Sequence, residues 1–191
     1  MIEQSSLRNA ESLIRFGAEK LSSISNVPRL EAEVLLSNLL KINPMKFHTD
    51  DIGISSNVMN KFESMIESRF KGMPIAYLIG KKEFWSLDFE INPSVLVPRP
   101  ETELLIENAI ELLKDHESPR ILELGTGSGI ISIVLYKELV TPEITATDIS
   151  DEALYVAKNN ADRYQIKDIN FLVSDWFSEI KNKKYDLIIS N

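Results

Sequence analysis

Residues 120–129, with the sequence RILELGTGSG, decide the fold of this chain. Their apolar start predicts a short buried strand. Gly125, Gly127 and Gly129 then predict a turn in which the backbone can come close to a ligand. Apolar residues spaced for one buried face follow over residues 130–139, which predicts a helix. A strand, a glycine-rich turn and a helix in this order are typical of a binding site in an α/β protein.

The spacing of these glycines allows two interpretations. The dinucleotide-binding pattern G-x-G-x-x-G fails, because Ile130 stands where its last glycine would be. The spacing that is present, E-x-G-x-G-x-G over residues 123–129, is the one that class I methyltransferases use for S-adenosylmethionine. A tight strand–helix turn without a ligand is the other interpretation, and the glycines alone do not decide between the two.

The composition excludes several classes of protein. A chain of 191 residues, 43% hydrophobic and 26% charged, is typical of ordinary globular domains. It has no cysteine, and the spacing of His48 and His116 does not suit a metal, so we expect no metal site. We find neither an apolar run of the ~20 residues that a membrane span needs nor a secretory signal. We therefore expect a cytoplasmic protein with no membrane partner.

The net charge of −8 is distributed unevenly along the chain. Residues 1–73 carry 9 basic and 9 acidic side chains, whereas residues 74–191 carry 12 basic and 20 acidic ones. Phosphate binding needs clustered lysines and arginines. The acidic second part therefore argues against a large nucleic-acid interface, and we expect no direct nucleic-acid partner.

The first part of the chain predicts a small helical bundle over residues 1–73. Apolar residues recur at helical spacing in three segments, which we interpret as helices over residues 5–21, 28–41 and 56–71. Residues 44–51 predict a turn or a short helix. The methionine and phenylalanine side chains of these segments are expected to form a core rather than a ligand site.

A linker over residues 74–98 follows the bundle. Gly72 and Pro74 mark the boundary, and alternation over residues 83–91 predicts a β-hairpin turned near residues 86–88. The flanking prolines hold Arg99 in an extended conformation.

From residue 99 onwards the pattern predicts an α/β domain over residues 99–191. Strands and helices alternate, which indicates a parallel sheet covered on both faces. The expected strands are 120–124, 143–147, 169–173 and 185–190; the expected helices are 100–114, 129–139 and 151–163, with a short helical turn near 176–181.

Candidate binding residues follow the second and third strands. Asp148 can accept hydrogen bonds from two ribose hydroxyls, although capping of the helix at residue 151 is an alternative role. Asp175 and Trp176 can contact an adenine ring, although an aromatic residue after a strand can also belong to the core.

Two further candidates adjoin the first and fourth strands. Glu123 can interact electrostatically with a sulfonium or an amino group, or it can accept hydrogen bonds within the turn. Asn191 follows the fourth strand, where its amide can accept a hydrogen bond from a substrate NH2 group; solvated coil is the alternative.

The motifs together resemble those of the release-factor glutamine methyltransferases, the HemK/PrmC family. The resemblance rests on three stretches: GMPIAYLIG over residues 72–80, Glu83-Phe84, and VLVPRPETE over residues 95–103. The helical first part, the LELGTGSG turn, Asp148, Asp175-Trp176 and Asn191 fall in the family's order. The resemblance covers essentially the whole chain.

This resemblance implies a cofactor, a substrate and a set of site residues. The cofactor would be S-adenosyl-L-methionine, and the substrate the glutamine of the glycine-glycine-glutamine loop of a class 1 peptide chain release factor. The bundle would dock that partner, Asn191 would be catalytic, and Arg99 and Asn191 would contact the substrate. The implied cofactor residues are Glu123, Gly125, Thr126, Gly127, Ser128, Gly129, Asp148, Asp175, Trp176 and Asn191.

The chain departs from the family at its last residue. Asn191 would open an N-P-P-Y motif whose remaining residues are absent, so we expect a class I, Rossmann-like sheet that is C-terminally incomplete, in a truncated gene product. The fourth strand would then be an open edge. Two other functions stay open: an amino-directed adenine or guanine methyltransferase, and a non-catalytic binding fragment. We expect a monomer.

Overall fold

The computed structural model describes residues 9–181 and 183–191. The chain divides into two units, Met1–Ile79 and Gly80–Asn191. Residues 5–8 of the first predicted helix lie outside the described residues. Within the described part of the chain, every helix is too short or too polar to cross a bilayer.

The first unit is helical. Its helices are α1 (Ala10–Leu21), α2 (Pro28–Leu40), a 3-10 helix (Pro44–His48), α3 (Ser56–Phe70) and α4 (Ile75–Ile79). Asn9 caps α1 and Ser55 caps α3, each through a side-chain oxygen that accepts a backbone N–H. The three long helices match the periodicity of the sequence. The short α4 was not predicted.

The core of the first unit is apolar. Leu13, Leu35, Phe62 and Ile66 are fully buried in it. Gly17 lies where α1 meets this core, and a Cβ atom there would come within 2.9 Å of the Phe62 ring. A larger residue at this position would therefore push the helices apart.

The second unit begins with a β-hairpin. Strands β1 (Lys81–Phe84) and β2 (Leu87–Glu90) pair antiparallel, and the turn consists of Trp85 and Ser86. Both turn residues have positive φ, 52° and 56°, as a two-residue hairpin turn requires. The turn therefore lies earlier than the predicted residues 86–88.

A parallel sheet follows, as the alternating pattern predicted. Its elements are α5 (Glu101–Leu113), β3 (Arg120–Leu124), α6 (Ile130–Glu138), β4 (Glu143–Asp148), α7 (Asp151–Arg163), β5 (Asn170–Val173) and β6 (Leu187–Ser190). Residues 176–179, where the sequence predicted a short helical turn, form hydrogen-bonded turns and no regular helix.

The strand order of this sheet is β5-β4-β3-β6, and all neighbouring pairs are parallel. The chain moves outward from β3 to β5 and then returns to the other side of β3 with β6. The switch point therefore lies between the carboxyl ends of β3 and β6, where open α/β sheets bind ligands. Among the described residues β6 is an edge strand, as predicted.

Candidate functional site

The glycine turn after β3 is open to a ligand at two of its three glycines. Gly125 and Gly127 have φ of 69° and 55°, and a Cβ atom at either would meet nothing within 4 Å. Gly129 differs, because a Cβ atom there would lie 3.0 Å from the Cβ of Ala157. The first two glycines leave space and backbone freedom at the site, and the third lets α6 pack against α7.

A buried amide ties the glycine turn to its surroundings. Asn160 of α7 is fully buried, and its Nδ2 donates to the carbonyls of Ser128 and Glu90, at 2.9 and 3.0 Å. Its Oδ1 accepts the backbone N–H of Glu90 at 2.7 Å. One side chain therefore joins the turn, α7 and the hairpin, which fixes the position of the turn.

Asp148 faces the glycine turn from the end of β4. Its Oδ2 accepts the backbone N–H of Gly127 at 2.9 Å, and its Oδ1 accepts the backbone N–H of Ser150 at 3.0 Å. Ser150 caps α7, because its Oγ accepts the N–H of Ala153. Each carboxylate oxygen keeps a further acceptor position for a ligand hydroxyl.

Glu123 lies beneath the turn and is only 1% exposed. Its Oε2 accepts hydrogen bonds from the hydroxyl of Thr126 at 2.8 Å, from the backbone N–H of Ser132 at 3.1 Å, and from the Ser132 hydroxyl. Burial raises the pKa of Glu123 to about 7, against the opposing effect of these hydrogen bonds. These contacts correspond to the turn-acceptor interpretation.

Two cavities, of about 200 and 220 Å³, adjoin at this edge of the sheet and share Gly125, Asp148 and Asn191. The first is also lined by Glu123, Thr126, Gly127 and Ser128. The second is also lined by Asp175 and Trp176. The structure thus brings together nine of the ten predicted cofactor residues; Gly129 lines neither cavity.

Trp176 projects beside the second cavity and is 65% exposed. Its φ of 48° is unusual for a bulky residue, and the Ser174 hydroxyl donates to its carbonyl at 2.8 Å. An exposed indole does not belong to the core. Its flat face is available for stacking with an aromatic ring.

Asn191 lines both cavities, whereas Arg99 lines neither. The Asn191 Nδ2 donates to the hydroxyl of Thr102 at 3.0 Å. Arg99 is exposed, and its guanidinium makes no ion pair with Glu101 or Glu103 within the described parts of the chain.

The first turn of α5 and the segment before it supply lining residues that the sequence did not assign to the site. Thr102 lies in the helix, and Ser94, Val95, Leu96 and Pro98 precede it. The conformational restriction by Pro98 and Pro100 indicates that this irregular stretch has a defined position. The site is therefore a pair of adjoining cavities with backbone donors, one carboxylate and one amide at their shared edge.

Two family models match this chain. Residues 12–80 match the PrmC N-terminal domain, and residues 100–191 match the methyltransferase small domain. The chain is 39% identical to the release factor glutamine methyltransferase of Coxiella burnetii, over 91% of this chain and 63% of the relative. It is 35% identical to that of Shewanella oneidensis, over 100% of this chain and 66% of the relative. These matches confirm the predicted resemblance.

A solved structure of a ribosomal protein L11 methylase from Lactobacillus delbrueckii subsp. bulgaricus is 32% identical, over 49% of this chain and 47% of that one, with a TM-score of 0.42. The chain spans just under two thirds of the length of the two curated relatives.

Proposed function

We propose that this relative of the release factor glutamine methyltransferases transfers a methyl group from S-adenosyl-L-methionine to a glutamine side chain of a class 1 peptide chain release factor. The observation that carries the proposal is the meeting of an open glycine turn, Asp148 and Asn191 at one edge of the sheet. The methyltransferase small domain matched over residues 100–191 supports the reaction class.

The two cavities fit the parts of this cofactor. Space at Gly125 and Gly127 suits close approach of a ligand, and Asp148 can accept hydrogen bonds from ribose hydroxyls. Trp176 offers a stacking face for adenine, and Asp175 lies in the same cavity. When bound, the cofactor supplies an electrophilic methyl group on a sulfonium.

Asn191 is the residue that would bind and orient the side-chain amide of the substrate. An amide nitrogen is a poor nucleophile, because its lone pair is delocalised into the carbonyl. A hydrogen bond from the glutamine NH2 group to the Oδ1 of Asn191 would orient the nitrogen and favour density on it. The new N–C bond would form as the S–C bond of the sulfonium breaks, which leaves S-adenosylhomocysteine. The methylated nitrogen would then be acidic enough to release its proton to water, so the protein would contribute positioning and electrostatics rather than a strong base.

The helical first part is proposed to dock the release factor. The match of residues 12–80 to the PrmC N-terminal domain supports this assignment. The predicted domains 1–73, 74–98 and 99–191, the monomeric state and the cytoplasmic location stay predictions, as does substrate contact by Arg99.

Incubation with methyl-labelled cofactor tests the function directly. The wild-type chain is mixed with a release factor, ribosomal RNA or duplex DNA. Label on the release-factor glutamine, found by mass spectrometry of its peptides, is the expected result. Label on nucleic acid would instead support the amino-directed alternative.

A matched pair of variants controls the experiment. Asn191→Ala should abolish transfer while leaving the affinity for S-adenosylhomocysteine nearly unchanged, whereas Asn108→Ala, on the exposed face of α5, should change neither. A wild-type chain that binds S-adenosylhomocysteine but transfers no label would be a binding fragment.

A further inference from the structure

We infer that Thr102 is a positioning residue, which holds the carboxamide of Asn191 so that its oxygen faces the substrate amide. The inference rests on the proposed function and adds a residue to it. Thr102 and Asn191 lie 89 residues apart in the sequence, and the Asn191 Nδ2 donates to the Thr102 Oγ1 at 3.0 Å.

The backbone on the Asn191 side of this contact is held by β6. Ser190 pairs with Leu124 in the register of β3 and β6, and its hydroxyl donates to the Leu124 carbonyl at 2.9 Å. The backbone that leads into Asn191 is therefore held in place, but the carboxamide of Asn191 could still rotate about its side-chain bonds. Within the described parts of the chain, the hydrogen bond to Thr102 is the one that the carboxamide makes.

Thr102 is a rigid partner for this hydrogen bond. It is 4% exposed in the first turn of α5, and its own N–H donates to the carbonyl of Arg99 at 3.0 Å. Its branched Cβ limits the side chain to few rotamers. The hydroxyl therefore has a defined place at the wall of the first cavity, which both residues line.

The two ends of a carboxamide have opposite hydrogen-bonding properties. The Nδ2 group can only donate and the Oδ1 atom can only accept, so a glutamine NH2 group must meet Oδ1. Thr102 engages Nδ2, and Oδ1 has no hydrogen-bond donor within the described residues. Without the Thr102 hydroxyl, the amide could turn its NH2 group towards the substrate, and two donors would then face each other.

The test compares Thr102→Val with Thr102→Ser in the full 191-residue chain. Valine keeps the shape and removes the hydroxyl, whereas serine keeps the hydroxyl. Thr145→Val makes the same chemical change at a buried position of β4 that lines neither cavity of the site. Thermal unfolding of all three variants checks that each one folds.

Turnover is the first readout. We expect kcat of Thr102→Val for the release factor to fall roughly threefold to tenfold, the equivalent of one neutral hydrogen bond, with little change in the affinity for S-adenosylhomocysteine. Thr102→Ser should recover most of kcat, and Thr145→Val should match the wild type. An unchanged kcat in a folded Thr102→Val variant, or no recovery by serine, overturns the inference.

The second readout does not depend on methyl transfer. In ¹⁵N-labelled protein, the side-chain NH2 signals of Asn191 are identified by their absence in Asn191→Asp. They should move and exchange faster with water in Thr102→Val but not in Thr102→Ser. A wild-type chain that transfers no methyl group contradicts the proposed function, and the NMR comparison then judges Thr102 alone. Signals that stay in place in Thr102→Val overturn the inference.

Discussion

The two units of this chain place their buried polar side chains differently. In the first unit Glu33 and Ser37, both on α2, are buried beside an apolar core, and the Glu33 carboxylate pairs with Arg29 of the same helix. In the second unit, polar side chains are buried around the carboxyl edge of the sheet: Glu123, Thr126, Ser128, Ser132 and Thr147. Burying polar groups costs free energy unless they are hydrogen-bonded. The comparison indicates that the first interior provides packing, whereas the second also maintains a binding site.

The pKa values of two carboxyl groups also differ between the two units. Hydrogen bonds from Arg69 lower the pKa of Glu31 in the first unit, whereas burial raises the pKa of Glu123 in the second to about 7. The two groups should therefore affect the free energy of unfolding in opposite directions as the pH changes. This opposition can be measured.

The largest expected effect is in the apolar core. Phe62→Ala should lower the free energy of unfolding of the first unit by about 3–5 kcal/mol, because it removes a fully buried ring and leaves a cavity. Phe70→Ala in the same helix is the control, since Phe70 is 41% exposed and should cost much less.

Denaturant unfolding followed by two signals measures this change. Both tryptophans, Trp85 and Trp176, belong to the second unit, so their fluorescence reports that unit, while far-ultraviolet circular dichroism also follows the helices of the first. Equal losses in Phe62→Ala and Phe70→Ala would contradict the assigned core.

The next effect concerns the buried carboxyl group of the second unit. The ordinary pKa of Glu123 is 4.5 and burial raises it to about 7. Well below pH 4.5 the Glu123 carboxyl group is neutral in both the folded and the unfolded protein, so its ionisation does not lower the free energy of unfolding. As the pH rises towards 7 it ionises only in the unfolded chain, so stability should fall by about 3 kcal/mol and then level off.

Glu123→Gln isolates this contribution, because it removes the ionisation and keeps an acceptor oxygen for Thr126 and Ser132. Unfolding is measured by tryptophan fluorescence between pH 4.5 and 8, and the difference between variant and wild type should grow with pH. Glu107→Gln, at an exposed position of α5, should follow the wild type. Parallel curves for Glu123→Gln and wild type would show that Glu123 does not retain its proton in the fold.

Most of the helices could be predicted because apolar periodicity is a strong signal over long segments. The helix predicted over residues 151–163 has the same bounds as α7, and the one over 28–41 differs from α2 by one residue. The helix α4 has only five residues, too few for a period to show. The hairpin turn was misplaced because Trp85 and Ser86 adopt positive φ without the glycine that usually marks it.

The residues of the site also fall into those that the sequence predicted and those that it did not. The sequence predicted the glycine turn, Asp148 and Asn191, because their places at strand ends locate them at one edge of a parallel sheet. Thr102 was missed, because its role depends on a contact with a residue 89 positions away. A local pattern carries no information about such a contact.

A medium effect is expected for cofactor binding. Asp148→Ala should weaken the affinity for S-adenosylhomocysteine by ~1.5–3 kcal/mol, the value of hydrogen bonds to a charged group. Titration calorimetry measures this change. Asp151→Ala, at an exposed position in the first turn of α7, is the control and should bind as tightly as the wild type. Unchanged affinity in Asp148→Ala would remove the ribose role from this carboxylate.

The smallest effect tests the ion pairs of the first unit. The Glu31 carboxylate accepts two hydrogen bonds from Arg69, at 2.8 and 3.0 Å, and the pair joins α2 to α3 with side chains only 15% and 19% exposed. Glu11 also accepts two hydrogen bonds, from Nη1 and Nη2 of Arg29 at 2.9 and 2.8 Å, but these side chains are 55% and 47% exposed. The two pairs thus differ in their exposure to water, and Arg29 also pairs with Glu33 through its Nε, at 2.8 Å.

Glu31→Gln should therefore cost about 1 kcal/mol of stability near neutral pH, and Glu11→Gln less, since water screens an exposed pair. Because the pKa of Glu31 is lowered from 4.5, its contribution is complete above that pH and is lost as the pH falls through the lowered value. Denaturant unfolding by circular dichroism at two pH values measures both variants. Equal costs for the two substitutions would mean that burial adds nothing to these pairs, and that an ion pair open to water stabilises the first unit as much as one that is mostly buried.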